Sequence, residues 1–402
     1  MKSCCVIGLG YIGLPTAAVI AKSNICVKGY DINENRVKLI NKGHIDFKEP
    51  GLESLLEELI TSKKFKAFRK LIPSDIYIIA VPTPLVNSGS RLPEPDISYI
   101  LGAAEDIAKE IKKDDLVIIE STSPVGTTEK IASLISNISG IDKKLLNFAY
   151  CPERAIPGNT LNELVNNDRV IGGLNKRSTA LSKEFYKNFS KGQILETNSQ
   201  TAELIKLTEN AYRDVNIAFA NEMSIICDNL NVDVFELIKL ANRHPRVDIL
   251  KPGCGVGGHC ISVDPWFIAS RLPSQTPLIQ TSRNVNNQKT EWSISKIKNT
   301  MKEFEKENSH RPNVGLLGLT FKPDINDIRE SPAIKIATYF SKNYLGILIS
   351  DPYIDYFKGL DLMSYKDVIK ESDIVVILVA HKEFKSFDYM GKQIIDLCGI
   401  FA

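Results

Sequence analysis

The sequence lacks an excess of either charge: 50 Lys and Arg stand against 48 Asp and Glu, a formal net of +2. Such balance gives no support to a nucleic-acid or membrane-surface partner, which would want a basic surplus. No run of 18 apolar residues occurs, so no transmembrane helix is expected. The apolar stretch after Met1-Lys2 has the outline of a signal peptide, but Gly8, Gly10, Gly13 and Pro15 interrupt it. Eight Cys in 402 residues, with no CxxC pair, are too few for a disulfide scaffold. Free thiols in a reducing cytoplasm are the expectation. With 24 Gly and 19 Pro the chain is neither collagen-like nor disordered in composition. At roughly 150 residues per domain, the length predicts two or three domains.

Short apolar runs alternate with helical patterns in the first third. Ser3–Leu9, Ile25–Asp31, Ile76–Val81 and Leu116–Glu120 read as strands, with helices such as Ile12–Lys22 and Asp96–Lys112 between them. This alternation predicts a parallel sheet covered on both faces. From Gln193 to His244 no Gly or Pro interrupts 52 residues, so that stretch should be largely helical and much of it buried. A second such run follows Pro277. Strand candidates return at Asn313–Leu319, Leu345–Ser350, Asp373–Val379 and Gln393–Leu397. The fold class expected is α/β, with two Rossmann-like doubly wound parallel-sheet domains joined by a central helical region. Boundaries fall near 195 and 305, giving domains 1–195, 196–305 and 306–402.

Gly8-Leu9-Gly10-Tyr11-Ile12-Gly13 is a GxGxxG that follows a strand and opens a helix. Alone it is a weak signal. Asp31, 18 residues after Gly13 at the end of the second strand, strengthens it, because a carboxylate there accepts bonds from ribose hydroxyls. Gly8 would allow the tight turn, Gly10 the approach of the pyrophosphate, and Gly13 the packing of helix on strand. The acid at 31 favours NAD, since it would repel a 2′-phosphate. Thr83 and Thr122 stand near two further strand ends on the same crevice. Each could hydrogen-bond a cofactor or merely cap a turn.

The densest glycine cluster is Gly253-Cys254-Gly255-Val256-Gly257-Gly258-His259-Cys260. Such a loop leaves backbone open to a ligand. Cys260 follows four glycines and precedes Asp264 by four residues, which is not a typical core setting for a thiol. Cys254, His259 and Cys260 fit no closed zinc set, so no metal is expected. Lys206, Asn210 and Arg213 fall at i, i+4 and i+7 and share one helix face. That face either lines a cavity or is a solvated stripe.

These motifs, with STSPVGTTE, YCPERAIPGN, KLTENAYRDVNIAFANE, GCGVGGHCISVDP and GLTFKPDINDIRESPA in order, resemble the UDP-glucose/GDP-mannose dehydrogenase family over essentially the whole chain. Within that family, KLTENAYRDVNIAFANE, ANRHPRVDIL and GGHCISVDPWF are most similar to the branch acting on UDP-N-acetyl-D-mannosamine. The resemblance implies an NAD-binding Rossmann domain, a helical dimerisation core and a C-terminal α/β domain that binds the UDP-sugar. It implies two successive oxidations of the sugar C6 alcohol to a carboxylate, using two NAD and one water, for surface polysaccharide precursor synthesis. Cys260 would be the nucleophile, through a thiohemiacetal and then a thioester. Lys206 would be acid/base or oxyanion partner. Asn210 and Asp264 would hold the water and the lysine, and Glu153 would assist thioester hydrolysis.

By motif, Tyr11, Ile12, Asp31, Arg36, Thr83, Thr122 and Arg329 match cofactor positions. Arg154, Ala155, Lys206, Asn210, Arg213, His244, Arg246, Gly257 and Lys322 match substrate positions; cationic forks suit two phosphates. The resemblance further implies a homodimer or higher homo-oligomer, with Arg246 and His244 reaching the neighbour's substrate. Two departures stand out. Cys398 occupies a position where relatives carry a basic residue that reaches the nucleotide, which bears on UDP affinity, and the chain stops at Ala402, earlier than the family leads one to expect. Competing readings are a UDP-N-acetylglucosamine or UDP-glucose dehydrogenase, and a dinucleotide-binding scaffold without chemistry. Intact Cys260, Lys206, Asn210 and Asp264 speak against the last.

Overall fold

The computed structural model describes residues 3–86, 89, 91–156 and 158–402. The chain divides into two compact units. The first holds Met1–Thr208 and Trp266–Arg271, the second Glu209–Pro265 and Leu272–Ala402.

The first unit is built on an eight-stranded sheet. Its strands are β1 (Ser3–Ile7), β2 (Cys26–Tyr30), β3 (Phe65–Phe68), β4 (Ile76–Ile79), β7 (Leu116–Ile119), β8 (Asn147–Tyr150), β9 (Arg169–Gly173) and β10 (Ile194–Asn198), with a small ribbon, β5 (Leu85–Val86) and β6 (Glu94–Pro95), outside it. The spatial order is β10-β9-β8-β7-β4-β1-β2-β3. All pairings are parallel except β8 with β9. Strand order reverses between β1 and β4, the point where a doubly wound sheet opens a crevice at its carboxyl ends. Both faces are covered, because alternate residues point to opposite sides. Cys4 and Val6 feed one apolar core, while Cys5 and Ile7 feed the other.

The second unit has a four-stranded parallel sheet, β11 (Val314–Leu317), β12 (Ile347–Ser350), β13 (Ile374–Ile377) and β14 (Gln393–Asp396), in the order β12-β11-β13-β14. These strands match the four C-terminal apolar runs of the sequence. Two helices of 32 residues, Ser199–Leu230 and Pro277–Asn308, supply most of the central helical region. The fold class is therefore as expected, with one local correction. The stretch from Gln193 is not helical at its start: Ile194–Asn198 pairs with β9 as an edge strand. Nor is the long helix buried throughout, since Tyr212, Phe219 and Leu230 are at least half exposed. Among the described residues no helix is long and apolar enough to cross a membrane.

Candidate active site

In the first unit the glycine turn after β1 is fixed by sterics. Gly8 has φ +89°, and a Cβ on it would lie 2.6 Å from the Ala80 carbonyl oxygen. A Cβ on Gly13 would lie 1.8 Å from the Gly8 carbonyl oxygen. Gly10 differs: its side-chain position is open, with nothing within 4 Å. The helix Gly13–Lys22 begins just beyond, with no side-chain cap at Ile12 and no acid in its first turn. Leu14 N already donates to the Gly10 carbonyl and Pro15 has no N–H, so it is the positive dipole end, with the open backbone at Gly10, that suits an anion.

The helix Thr127–Ser139, after the β7 strand end, is closed instead. The buried Glu203 carboxylate accepts from Gly126 N at 2.7 Å, Thr128 N at 2.8 Å and the Thr128 hydroxyl. Of these two N-termini, the glycine turn is thus the one left for a pyrophosphate.

Asp31 is buried at the end of β2. One carboxylate oxygen accepts from Leu9 N at 2.9 Å and the other from Asn33 N at 2.8 Å. Arg36 approaches it at 3.6 Å but gives its fork to Asp46. Each Asp31 oxygen keeps a lone pair for a ribose hydroxyl. Tyr11 stacks against Phe47 at 4.5 Å, and Thr83 and Thr122 are half-buried. The open Gly10 face, the uncapped helix and the pinned Asp31 fit a dinucleotide. Tyr11, Ile12 and the backbone at Gly10 would hold its phosphates, and Asp31 its adenosine ribose.

Beside β8 the chain turns through Cys151-Pro152-Glu153. Glu153 is a hub: its carbonyl accepts from the Lys206 ammonium at 2.7 Å. One carboxylate oxygen accepts from Arg154 N and Ala155 N, both at 2.6 Å. The other faces Arg169 Nη1 at 3.4 Å. Arg154 donates to the Asp168 carbonyl.

In the second unit the glycine loop is held at three points. Gly253 N donates to Asn221 Oδ1 at 3.0 Å, Thr290 Oγ1 to the Cys254 carbonyl at 3.0 Å, and Gly258 N to the Arg329 carbonyl at 2.9 Å. A Cβ on Gly257 would lie 2.7 Å from the Glu330 carbonyl oxygen. The two thiols of the loop part company here. Cys254 is buried in the apolar core, and burial pushes its thiol up to about 12. Cys260 is only half-buried. Its carbonyl accepts from Asp264 N at 2.8 Å, so the thiol sits one turn before the helix Asp264–Arg271. The buried Asp264 carboxylate takes Asn210 Nδ2 at 2.6 Å. Lys206 lies one turn before Asn210 on the helix Ser199–Leu230.

Arg213 and Lys322 are exposed, as are His244 and Arg246, whose loop is closed by Asn242 bonding both ways to Ile249. Arg329 grips Asp327 with both arms of its fork. Cys398, held high by burial, then by Asp396, turns its sulfur toward the Ile377 carbonyl. Sequence reasoning missed Asn221, Thr290, Glu203 and Arg169. Their partners are remote in the chain, and only the RVIGG pattern at Arg169 carried a signal of a strand.

Among the described residues, Asp324, His381 and Glu383 are close enough to share a metal. The histidine is already committed, however. Nδ1 accepts from Asp324 N at 3.0 Å, so the proton sits on Nε2, 3.1 Å from Asp351 Oδ2. The Asp324 and Glu383 carboxylates both take the Tyr353 hydroxyl, at 3.4 and 2.9 Å.

Three family models match in chain order. They are the NAD binding domain of the UDP-glucose/GDP-mannose dehydrogenase family at residues 2–190, its central domain at 200–288 and its UDP binding domain at 315–401. The chain is 45% identical to a UDP-N-acetyl-D-mannosamine dehydrogenase of Campylobacter jejuni, over 98% of each protein. It is 42% identical to an NDP-N-acetyl-D-galactosaminuronic acid dehydrogenase of Ralstonia nicotianae, over 99% of this chain and 96% of the other. The structure of a UDP-D-ManNAc dehydrogenase from Pyrococcus horikoshii is similar with TM-score 0.90 and 38% identity, over 99% and 96% of the two chains.

Proposed function

The chain belongs to the UDP-glucose/GDP-mannose dehydrogenase family, and from that premise we propose that it oxidises UDP-N-acetyl-D-mannosamine at C6 to UDP-N-acetyl-D-mannosaminuronic acid. It is an NAD-dependent dehydrogenase with a UDP binding domain. The observation that carries the chemistry is the half-buried Cys260 thiol, set at the end of a pinned glycine loop one turn from the Asn210–Asp264 pair.

NAD, bound at the glycine turn and Asp31, supplies the hydride acceptor for both oxidations. Cys260 adds its sulfur to the C6 aldehyde, giving a thiohemiacetal whose oxidation leaves a thioester. Water opens the thioester, releasing the carboxylate and returning the thiol. Lys206 supplies positive charge to the developing alkoxide. Asn210 and Asp264 orient the lysine and water, and Glu153 draws a proton from the attacking water. Arg154, Ala155, Arg213, Gly257 and Lys322 bind the UDP-sugar, and Arg329 the cofactor.

The three sequence-level domains, a cytoplasmic location and a homodimer are part of this proposal. The exposed Tyr212, Phe219 and Leu230 on one long helix support a self-paired face. The Ralstonia relative favours a second reading, an N-acetylhexosamine of another configuration.

NADH release with a panel of UDP-sugars tests both. Two NADH per UDP-N-acetyl-D-mannosamine establishes the reaction and the sugar. Turnover of the galactosamine, glucosamine or glucose form alone replaces the sugar. No turnover with any of them leaves a scaffold.

A further inference from the structure

Glu153 is not held by its own loop alone. Behind it lies a closed set of ionisable side chains that the chemistry above does not use. Arg169, at the start of β9, is almost wholly buried. Its Nη1 faces the Glu153 carboxylate at 3.4 Å and its Nη2 donates to the Leu164 carbonyl at 2.9 Å. Its guanidinium lies 4.8 Å from the Tyr186 ring centroid and 5.9 Å from that of Phe189. Arg169 Nε has no partner among the described residues. The guanidinium is therefore fixed in plane by aromatic faces and aimed at one carboxylate.

A second buried carboxylate competes for the same charge. Glu120, at the end of β7, accepts from the Tyr186 hydroxyl at 2.6 Å and from Thr16 Oγ1 at 3.3 Å. Burial pushes its carboxyl up to about 7; Arg169 pulls it down and Glu153 pushes it further up. The titratable groups that face it are Arg169, Glu153, Tyr186, Cys151 and Cys4. Burial holds both thiols and the Tyr186 phenol protonated near neutrality. The set thus reduces to one cation between two carboxylates, in surroundings where an uncompensated charge is costly.

We propose that Arg169 is a positioning residue that fixes the Glu153 carboxylate for thioester hydrolysis, and that Glu120 sets how much of the Arg169 charge Glu153 receives. With Glu120 protonated, Arg169 serves Glu153 alone. With Glu120 ionised, the guanidinium is shared and its hold on Glu153 weakens. The proposal rests on Glu153 acting in hydrolysis, as read above.

The full-length enzyme is mixed with UDP-N-acetyl-D-mannosamine and NAD, then quenched. Intact-protein mass gives the fraction of Cys260 carrying the acyl group, and NADH absorbance gives the rates. Glu153→Gln is the control for the underlying reading and should accumulate acyl-enzyme. Arg169→Lys keeps the charge but loses the fork. It should lower kcat about ten-fold, part of the hundred- to ten-thousand-fold a placed base supplies, with acyl-enzyme accumulating, KM falling in step with kcat and kcat/KM unchanged.

Glu120→Gln retains acceptor and donor for Tyr186 and Thr16 but cannot ionise. The ratio of wild-type to Glu120→Gln deacylation rates should fall as pH rises through about 7. Acyl-enzyme in Glu153→Gln but none in Arg169→Lys overturns the positioning role. A flat ratio from pH 6 to 8 overturns the role of Glu120. No acyl-enzyme in Glu153→Gln overturns the reading of Glu153, and this proposal with it. If Arg169→Lys does not fold, the Glu120→Gln ratio decides.

Discussion

Asp31 and Asp351 hold the same post in two different sheets. Each follows the strand beside the first strand of its unit, β2 or β12. Each takes the backbone N–H of the leucine after a left-handed glycine, Leu9 at 2.9 Å and Leu319 at 2.6 Å. Each also accepts from the N–H two residues on, Asn33 and Tyr353, at 2.8 Å. No repeat is obvious between the two sequence segments. What recurs is the need to satisfy one buried N–H at the turn that ends the first strand of each unit. Burial pushes the Asp351 carboxyl up, but His381 and the N–H groups of Leu319 and Tyr353 outweigh it and hold it below its ordinary value.

Replacing Asp31 by Ala removes both the turn anchor and the acceptor for ribose. NAD affinity should fall about ten-fold or more, the equivalent of one or two hydrogen bonds to a charged group. The preference for NAD over NADP should narrow with it, because the repulsion of a 2′-phosphate is lost. Titration with both nucleotides checks this; unchanged discrimination would place the choice on another group.

Cys260→Ala should make no uronic acid, whereas Cys254→Ala should keep turnover. The second thiol is buried, donates weakly to the Leu378 carbonyl, and is pushed up to about 12. Its loss should cost roughly 1–2 kcal/mol of stability, as for a small core truncation. Product analysis and thermal unfolding separate the two. Full uronic acid production by Cys260→Ala would disprove the covalent route.

Lys289 is a buried cation whose charge opposes folding. Its ammonium lies 3.4 Å from the Trp292 ring centroid and donates to Ser224 Oγ at 2.7 Å, and burial lowers it to about 7. Unfolded, a lysine titrates near 10.4. Between about 7 and 10 the unfolded chain binds a proton that the folded one does not, so this residue makes stability rise with pH. Below 7 the penalty is complete, on the order of 3–5 kcal/mol at most. Lys289→Met should therefore raise Tm at pH 7, with the gain shrinking toward pH 10. Equal gain at both pH values would show that the amine is not depressed.

Arg246 and His244 stand exposed on a closed loop after the helix Val234–Ala241. If they complete the partner's site in a homodimer, Cys260→Ala and Arg246→Ala should complement each other. Subunit exchange gives hybrids with one intact and one doubly damaged site, so each hybrid should approach half of wild-type activity. Exchange shown by mass without recovered activity would assign Arg246 to its own subunit.

The parts legible in the sequence are those whose causes are local. Gly8, Gly13 and Asp31 announce a turn because φ and close approach act within a few residues. The β11 to β13 strands were legible as apolar runs, and β14 (QIID) as an apolar pair between polar ends. By contrast β3 (FKAF), β8 (NFAY), β9 (RVIGG) and β10 (ILETN) are short and carry polar or charged residues. Arg169 would pass for a surface cation, because the groups that justify burying it lie 16 residues away at Glu153 and on the Tyr186 face. Asn221 is the same case: it bridges Gly253 to Asn286, 65 residues along from itself. Hydrogen-bonded side chains that close long loops leave no periodic trace.

The Glu203 cap at the helix Thr127–Ser139 has a bearing on ligand choice. A cell holds many small phosphorylated molecules at high concentration, and any uncapped helix start invites them. Here the start at Thr127–Ser139 carries a carboxylate of its own, tethered and buried, as Glu49 does for the helix Thr160–Asn166. Phosphate esters and free nucleotides meet a berth already taken there. At the glycine turn, by contrast, Asp31 also asks for a pair of ribose hydroxyls, so that site selects its anion by chemistry as well as by charge.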